Sequence, residues 1–282
     1  MKKAILISIV AVVATVAFIQ LESTGFSALS QGEAMPGFLD TPFLPDGRWR
    51  VHDARRPRPE TVIPSAPSAQ ERPGVPPSDA VVLFDGSDLS AWWTPGGNGE
   101  VREAAWQVRD GFIEVVPGSG HILSHEKFGD CQVHVEWATP TVIEGEGQGR
   151  GNSGIMLMGG RYEIQVLDSY ENPTYADGQA GAMYGQYPPL VNASLPPGQW
   201  QTFDIIFEAP QFDGDRVVKP AYATVFHNGL LLYHRKAFIG QVAHKEVGTY
   251  RPHEAEAPLL LQDHGDKVRF RNIWVRRLSL EE

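Results

Sequence analysis

From Val81 onward the chain carries short runs in which apolar and polar residues alternate, rich in β-branched and aromatic side chains, punctuated by glycine and without a sustained 3.6-residue period. That is the pattern of half-buried β-strands. In CQVHVEW the alternation sets Val133, Val135 and Trp137 on one face and Gln132, His134 and Glu136 on the other. In RYEIQVLD it separates Ile164 and Val166 from Glu163 and Gln165. WQVRDGFIEVV and YATVFHNGLLLYH each break at a dipeptide, Asp110-Gly111 and Asn228-Gly229, that accepts positive φ at a two-residue hairpin turn. Further strands are predicted near 130–138, 153–158, 161–168, 200–208, 258–263 and 268–277. About a dozen strands over about 200 residues predict an all-β, two-sheet sandwich. One face of each strand packs the core, and the other is available to a site.

Trp92, Trp93, Trp106, Trp137, Trp200 and Trp274 fall at strand positions and read as core. Arg269, Arg271, Arg276 and Arg277 on the last strand read as a solvated face, and His227, just before a turn, as an exposed hairpin residue. The longest stretch without strand pattern runs from Ser169 to Gln199 and holds Tyr170, Tyr175, Tyr184 and Tyr187. It reads either as a sugar-facing surface or as a packed Ω-type loop.

Composition narrows the classes. The 282 residues, 42% hydrophobic and 21% charged, describe a globular fold. A net charge of −10 disfavours nucleic acid and anionic lipid as partners. The single cysteine, Cys131, excludes an intramolecular disulfide and a multi-cysteine metal site. Lys2-Lys3 followed by an apolar run from Ala4 to Ile19, with Ala28-Leu29-Ser30 beyond it, has the form of an export signal. Residues 1–30 are therefore read as a signal peptide or an N-terminal anchor, with membrane contact only if the segment stays uncleaved, and the body as periplasmic or extracellular. Residues 31–78, with Pro57, Pro59, Pro64, Pro67, Pro73, Pro76 and Pro77, read as a flexible Pro-rich linker, and 79–282 as the β-sandwich domain.

Across residues 79–280 the segments FDGSDLSAWW, GNSGIMLM, RYEIQVLDS, AMYGQYPP, WQTFDIIFEAP, ATVFHNGLLL and LLLQDHGDKVRFRNIWVRRL occur in one order. In this the chain resembles the 3-keto-disaccharide hydrolase domain family. The resemblance implies a concanavalin A-like jelly-roll sandwich and cleavage of glycosides already oxidised to a ketone at sugar carbon 3. A carbohydrate substrate, and a functional link to a sugar 3-dehydrogenase that makes it, follow from the same resemblance. A ketone at carbon 3 acidifies the hydrogen on carbon 2, so a base can remove it and the enolate can expel the carbon 1 substituent. Such a site needs a base and an enolate stabiliser.

Glu163, Gln165 and Asp168 form an E-x-Q-x-x-D pattern similar to the E-x-D-x-x-E signature of laminarinase-type glucanases. Residues five apart on a straight strand face opposite ways, so Glu163 and Asp168 cooperate only across a bulge. Glu163, Asp168 and His264, the last in a strand-to-strand turn, are the candidate acid and base residues. Glu136, Arg150, Asn152, Gln165, Tyr184, Gln262 and Lys267 are candidate substrate contacts. His121, His125 and His134 lack the spacing of a zinc site. Oxygen ligands leave a calcium- or magnesium-class cation open, and no organic cofactor is expected. The rival readings are a non-catalytic carbohydrate-binding module and a two-carboxylate endo-glucanase.

Overall fold

The computed structural model of the chain describes residues 36–58, 60–61 and 70–280; the segment read as an export signal lies outside them. The alternating runs pair into two main antiparallel sheets. The first has six strands in the order Tyr162–Val166, Ser153–Leu157, Ala257–Leu261, Ile122–Phe128, Trp92–Pro95 and Val101–Glu103. The second has eight, running Leu230–Ala237, Tyr222–His227, Gln201–Glu208, Cys131–Ala138, Arg269–Arg277, Phe112–Glu114 and Gln107–Arg109, with Val81–Phe84 also paired to Arg269–Arg277. Their inner faces form one core that includes Val133, Val135, Trp137, Ile164, Val166, Phe203 and Phe270. This is the expected jelly-roll β-sandwich. At both hairpin turns the two central residues have positive φ, 49° and 77° at Asp110-Gly111 and 51° and 79° at Asn228-Gly229. That twist matches the flanking strands.

Three expectations are corrected. The region read as flexible linker is hydrogen-bonded to the sandwich at several points where it is described. The Gln70 side chain donates to the Trp200 carbonyl (2.9 Å) and accepts from its amide (2.7 Å), and the Gly74 amide donates to Glu136 Oε1 (2.9 Å). This covering strip decides the second correction. Glu136, expected as a sugar contact, is buried on the outer face of the eight-stranded sheet, where it accepts from Arg271 Nε (2.6 Å) and Asn272 Nδ2 (2.9 Å). Burial alone would raise its pKa, but hydrogen bonds from His134, the Gly74 amide, Asn272 and Arg271 outweigh it and hold the carboxyl at about 2. Arg271 is accordingly buried, not solvated. Third, His227 is an inward residue of its strand, stacked on Trp137 and bonded to Gln201 Oε1 (3.0 Å). Burial pushes its pKa down to about 3.

Candidate active site

The outward face of the six-stranded sheet carries a polar cluster at its Tyr162–Val166 edge. Strand alternation turns Tyr162, Ile164 and Val166 into the core and leaves Glu163 and Gln165 outward. Asn152 stands just before the neighbouring strand and Gln262 just after the next one. These ends are pinned together, since Ser153 Oγ donates to the Gln262 carbonyl (2.6 Å) and the Gln262 amide to the Gly154 carbonyl (3.1 Å). Asn152, Glu163, Gln165, Tyr184, Gln262 and His264 thereby share one cavity of about 260 Å³, together with Met156, Val242, Ala243 and His244.

The tyrosine-rich stretch supplies the outer wall. Its residues 181–184 add to the edge strand: the Gln165 amide donates to the Ala182 carbonyl (3.0 Å), Gly181 to the Gln165 carbonyl (2.8 Å) and Tyr184 to the Glu163 carbonyl (3.4 Å). A main-chain ladder thus fixes Tyr184 beside Glu163. The Tyr184 hydroxyl lies 2.7 Å from that of Tyr175 and 3.0 Å from His244 Nδ1. Burial pushes its pKa up to about 12 and, with His52, Lys245 and His264 nearby, lowers that of His244.

Glu163 is 5% exposed, and burial raises its carboxyl pKa to about 8. The Gln165 amide adjoins it. In one orientation Gln165 Nε2 donates to Gln148 Oε1 (3.1 Å) and Asn152 Oδ1 (3.3 Å), which turns its oxygen toward Glu163 and suits a protonated carboxyl. Turned over, Nε2 donates to Glu163 Oε1 (2.9 Å) and the Ser153 carbonyl (3.2 Å), which suits an ionised one. Gln262 Oε1 is a buried acceptor with no protein partner. A ligand hydroxyl in the cavity would satisfy it.

The remaining candidates lie elsewhere. Arg150, Asp168 and Lys267 line a second, larger cavity of about 680 Å³ with Arg109, Glu114 and Asp266. Asp168 falls two residues beyond its strand and is held by Arg150 Nε (2.8 Å), while its other oxygen accepts from the Tyr170 amide (3.2 Å). Burial raises the Asp168 pKa in spite of Arg150. Glu163 and Asp168 therefore open into different cavities and form no acid–base pair, and Arg150 is committed to Asp168 and the Tyr170 carbonyl (2.8 Å). Lys267 does not reach the Glu163 cavity either, because the turn that exposes His264 at the rim faces Lys267 into the larger one. Among the described residues no three His, Cys, Asp or Glu side chains are grouped to hold a metal ion.

Sequence reasoning missed His244, whose stretch has no strand pattern, and His52, which falls in the Pro-rich segment. Comparison with known proteins gives the family. The 3-keto-α-glucoside-1,2-lyase-like domain matches residues 79–276. A solved protein from Parabacteroides distasonis, provisionally described as a glycosyl hydrolase, is 42% identical over 79% of this chain and 93% of its own, with a TM-score of 0.69. A second one from that organism, described in the same terms, is 22% identical over 71% and 94%, with a TM-score of 0.50, and shares the fold. No curated protein matches the chain. The chain belongs to the 3-keto-α-glucoside-1,2-lyase-like family.

Proposed function

We propose that the protein cleaves glycosides oxidised to a ketone at sugar carbon 3, with Glu163 as the base. The observation that supports this most is the Glu163 carboxyl itself. It is buried, its pKa is raised to about 8, and it shares a small cavity with the side-chain amides of Asn152, Gln165 and Gln262. A carboxylate of raised pKa is a stronger base than an exposed one, and at pH 7 about a tenth of it is ionised.

Ionised Glu163 takes the carbon 2 hydrogen as a proton, and the C–H electron pair forms the carbon 2–carbon 3 double bond of an enolate. The donors we assign to its oxygen are the Gln262 side-chain amide and the second N–H of Asn152 Nδ2, whose first is held by the Gln148 carbonyl (2.7 Å). Collapse of the enolate restores the ketone, forms the carbon 1–carbon 2 double bond and breaks the bond from carbon 1 to the leaving oxygen. His264, at the cavity rim, gives that oxygen its proton. Addition of water to carbon 1, with a proton returned to carbon 2, completes a net hydrolysis. With its nitrogen toward the carboxyl, the Gln165 side-chain amide donates to ionised Glu163 (2.9 Å).

A two-carboxylate glucanase mechanism is disfavoured, because retaining enzymes need oxygens about 5 Å apart and Asp168 lies in another cavity. The substrate requires a prior oxidation at carbon 3, for which a sugar dehydrogenase is the expected source, and the apolar run that follows Lys2-Lys3 supports a reading in which this protein is exported. The test is a 3-keto-glucoside carrying deuterium at carbon 2. Slower release of the aglycone than from the protiated compound is expected, and equal rates together with no exchange of the carbon 2 hydrogen would remove Glu163 from the role of base.

A further inference from the structure

The family-matched span begins at residue 79, yet the wall of the cavity is held from outside it. Residues 38–54 form a closed loop: the Phe38 amide donates to the His52 carbonyl (2.8 Å), Ala54 donates back to the Phe38 carbonyl (3.2 Å), and Phe43 bridges to Arg50. Gly37, at φ 140°, lies where a β-carbon would come within 2.7 Å of the His52 carbonyl oxygen. His52 itself has φ 57°, a conformation that costs a non-glycine residue about 1 kcal/mol or more and persists only where surroundings enforce it.

Those surroundings are the two loops of the site. The His52 ring is fully buried, its Nδ1 lies 3.2 Å from Asp177 Oδ1, and its amide donates to Asp177 Oδ2 (3.1 Å). With Nδ1 donating to the carboxylate, Nε2 is left as a buried atom with no protein partner. Ring centroids lie 4.2 Å from Tyr175, 5.3 Å from Tyr184 and 5.3 Å from His244. Two further contacts tie the loops together. Arg56 Nη1 donates to the Gln186 carbonyl (3.2 Å), while the Gln186 side chain bonds the Ile239 amide (2.7 Å) and the Gly240 carbonyl (3.1 Å). Lys245 Nζ sits 3.7 Å from the centre of the Phe38 ring.

We propose that residues 36–58 are a working part of the site and that His52, anchored on Asp177, is a positioning residue that holds the Tyr184–His244 pair against the Glu163 cavity. The loop carrying Tyr184 and the loop carrying His244 are far apart in sequence, and the His52 ring lies against both. Its role in turnover rests on the keto-glycoside reading; its role in placing the pair does not. A supporting group of this kind is worth roughly 10–100-fold in rate when lost.

The experiment uses the full chain with His52→Ala and, as a variant of unchanged shape, Asp177→Asn. Two readouts are taken: kcat and KM on a 3-keto-glucoside, and the titration of His244 followed by its ring nitrogens in NMR. The groups facing His244 are His52, Tyr184, Lys245 and His264, together with the Phe38 ring. In His52→Ala, kcat falls roughly 10–100-fold with a smaller change in KM, and the His244 midpoint rises because a covering ring and a neighbouring imidazole are gone. Asp177→Asn lowers kcat in the same direction and by less. Val115→Ala, a core change away from the cavity, serves as the control for lost stability and leaves kcat and the His244 midpoint at wild-type values. Wild-type kcat and an unmoved His244 midpoint in both site variants would overturn the proposal. If the unaltered protein cleaves no 3-keto-glucoside, the functional reading fails and the His244 titration alone decides the placement.

Discussion

Gly154 and Glu163 lie on neighbouring paired strands so close together that a β-carbon on residue 154 would stand 2.6 Å from Glu163 Oε1. The glycine is the space in which the carboxyl lies. The nearest obstacle to a larger residue is the far end of a flexible side chain, so Gly154→Ala displaces Glu163 without disrupting the sheet. Expected are a loss of less than about 2 kcal/mol in stability and a fall of roughly 10–100-fold in kcat. Urea unfolding and steady-state kinetics on the same preparation check both. Unchanged kcat in a folded variant would show that the position of Glu163 is immaterial to turnover.

Glu163 also predicts how stability varies with pH. Its pKa is about 8 in the folded chain against 4.5 for an ordinary glutamate. Between these values the folded state holds a proton that the unfolded state has released, so this group's contribution is whole below pH 4.5 and diminishes as pH rises to 8. Glu163→Gln removes the loss, and at pH 7 the variant should be more stable than the parent by about 3 kcal/mol while inactive. Denaturant titrations at pH 5 and pH 7.5 test it. The two proteins should converge at the lower pH and separate at the higher; parallel profiles would contradict a carboxyl buried in its neutral form.

Asp168 should behave in the opposite way. Its carboxylate holds Arg150 at 2.8 Å in the neighbouring cavity, apart from that of Glu163. Asp168→Asn leaves a largely buried guanidinium without its charge partner, at a cost of about 3 kcal/mol. The expected result is a lowered melting temperature with kcat within about threefold of wild type, a barrier change of under 1 kcal/mol. A loss of kcat equal to that of Glu163→Gln would return Asp168 to the catalytic set.

Which parts were legible from sequence follows from the range of the interactions involved. The alternation in Cys131–Ala138 and Tyr162–Val166, and the turns at Asp110-Gly111 and Asn228-Gly229, are local and appear in the structure as expected. The cavity gathers Asn152, Glu163, Gln165, Tyr184, Gln262 and His264, which the strand pattern placed on a polar face, at strand ends or in the tyrosine-rich loop. Glu136 shared that signature, and only a remote strip, with Gly74 donating to its carboxylate, turns its outward face into an interior. His52 and His244 left no local signal, because their places are set by packing between segments nearly 200 residues apart in sequence.

The most direct measurement is incubation of the protein with a 3-keto-glucoside and with its unoxidised parent, following release of the aglycone from each, for wild type and Glu163→Gln. Release from the keto compound alone, lost in Glu163→Gln, is the predicted result. Release from the parent at a comparable rate, or binding of both sugars without turnover, would contradict elimination through a carbon 2 proton and point instead to ordinary glycoside hydrolysis or to a sugar-binding module.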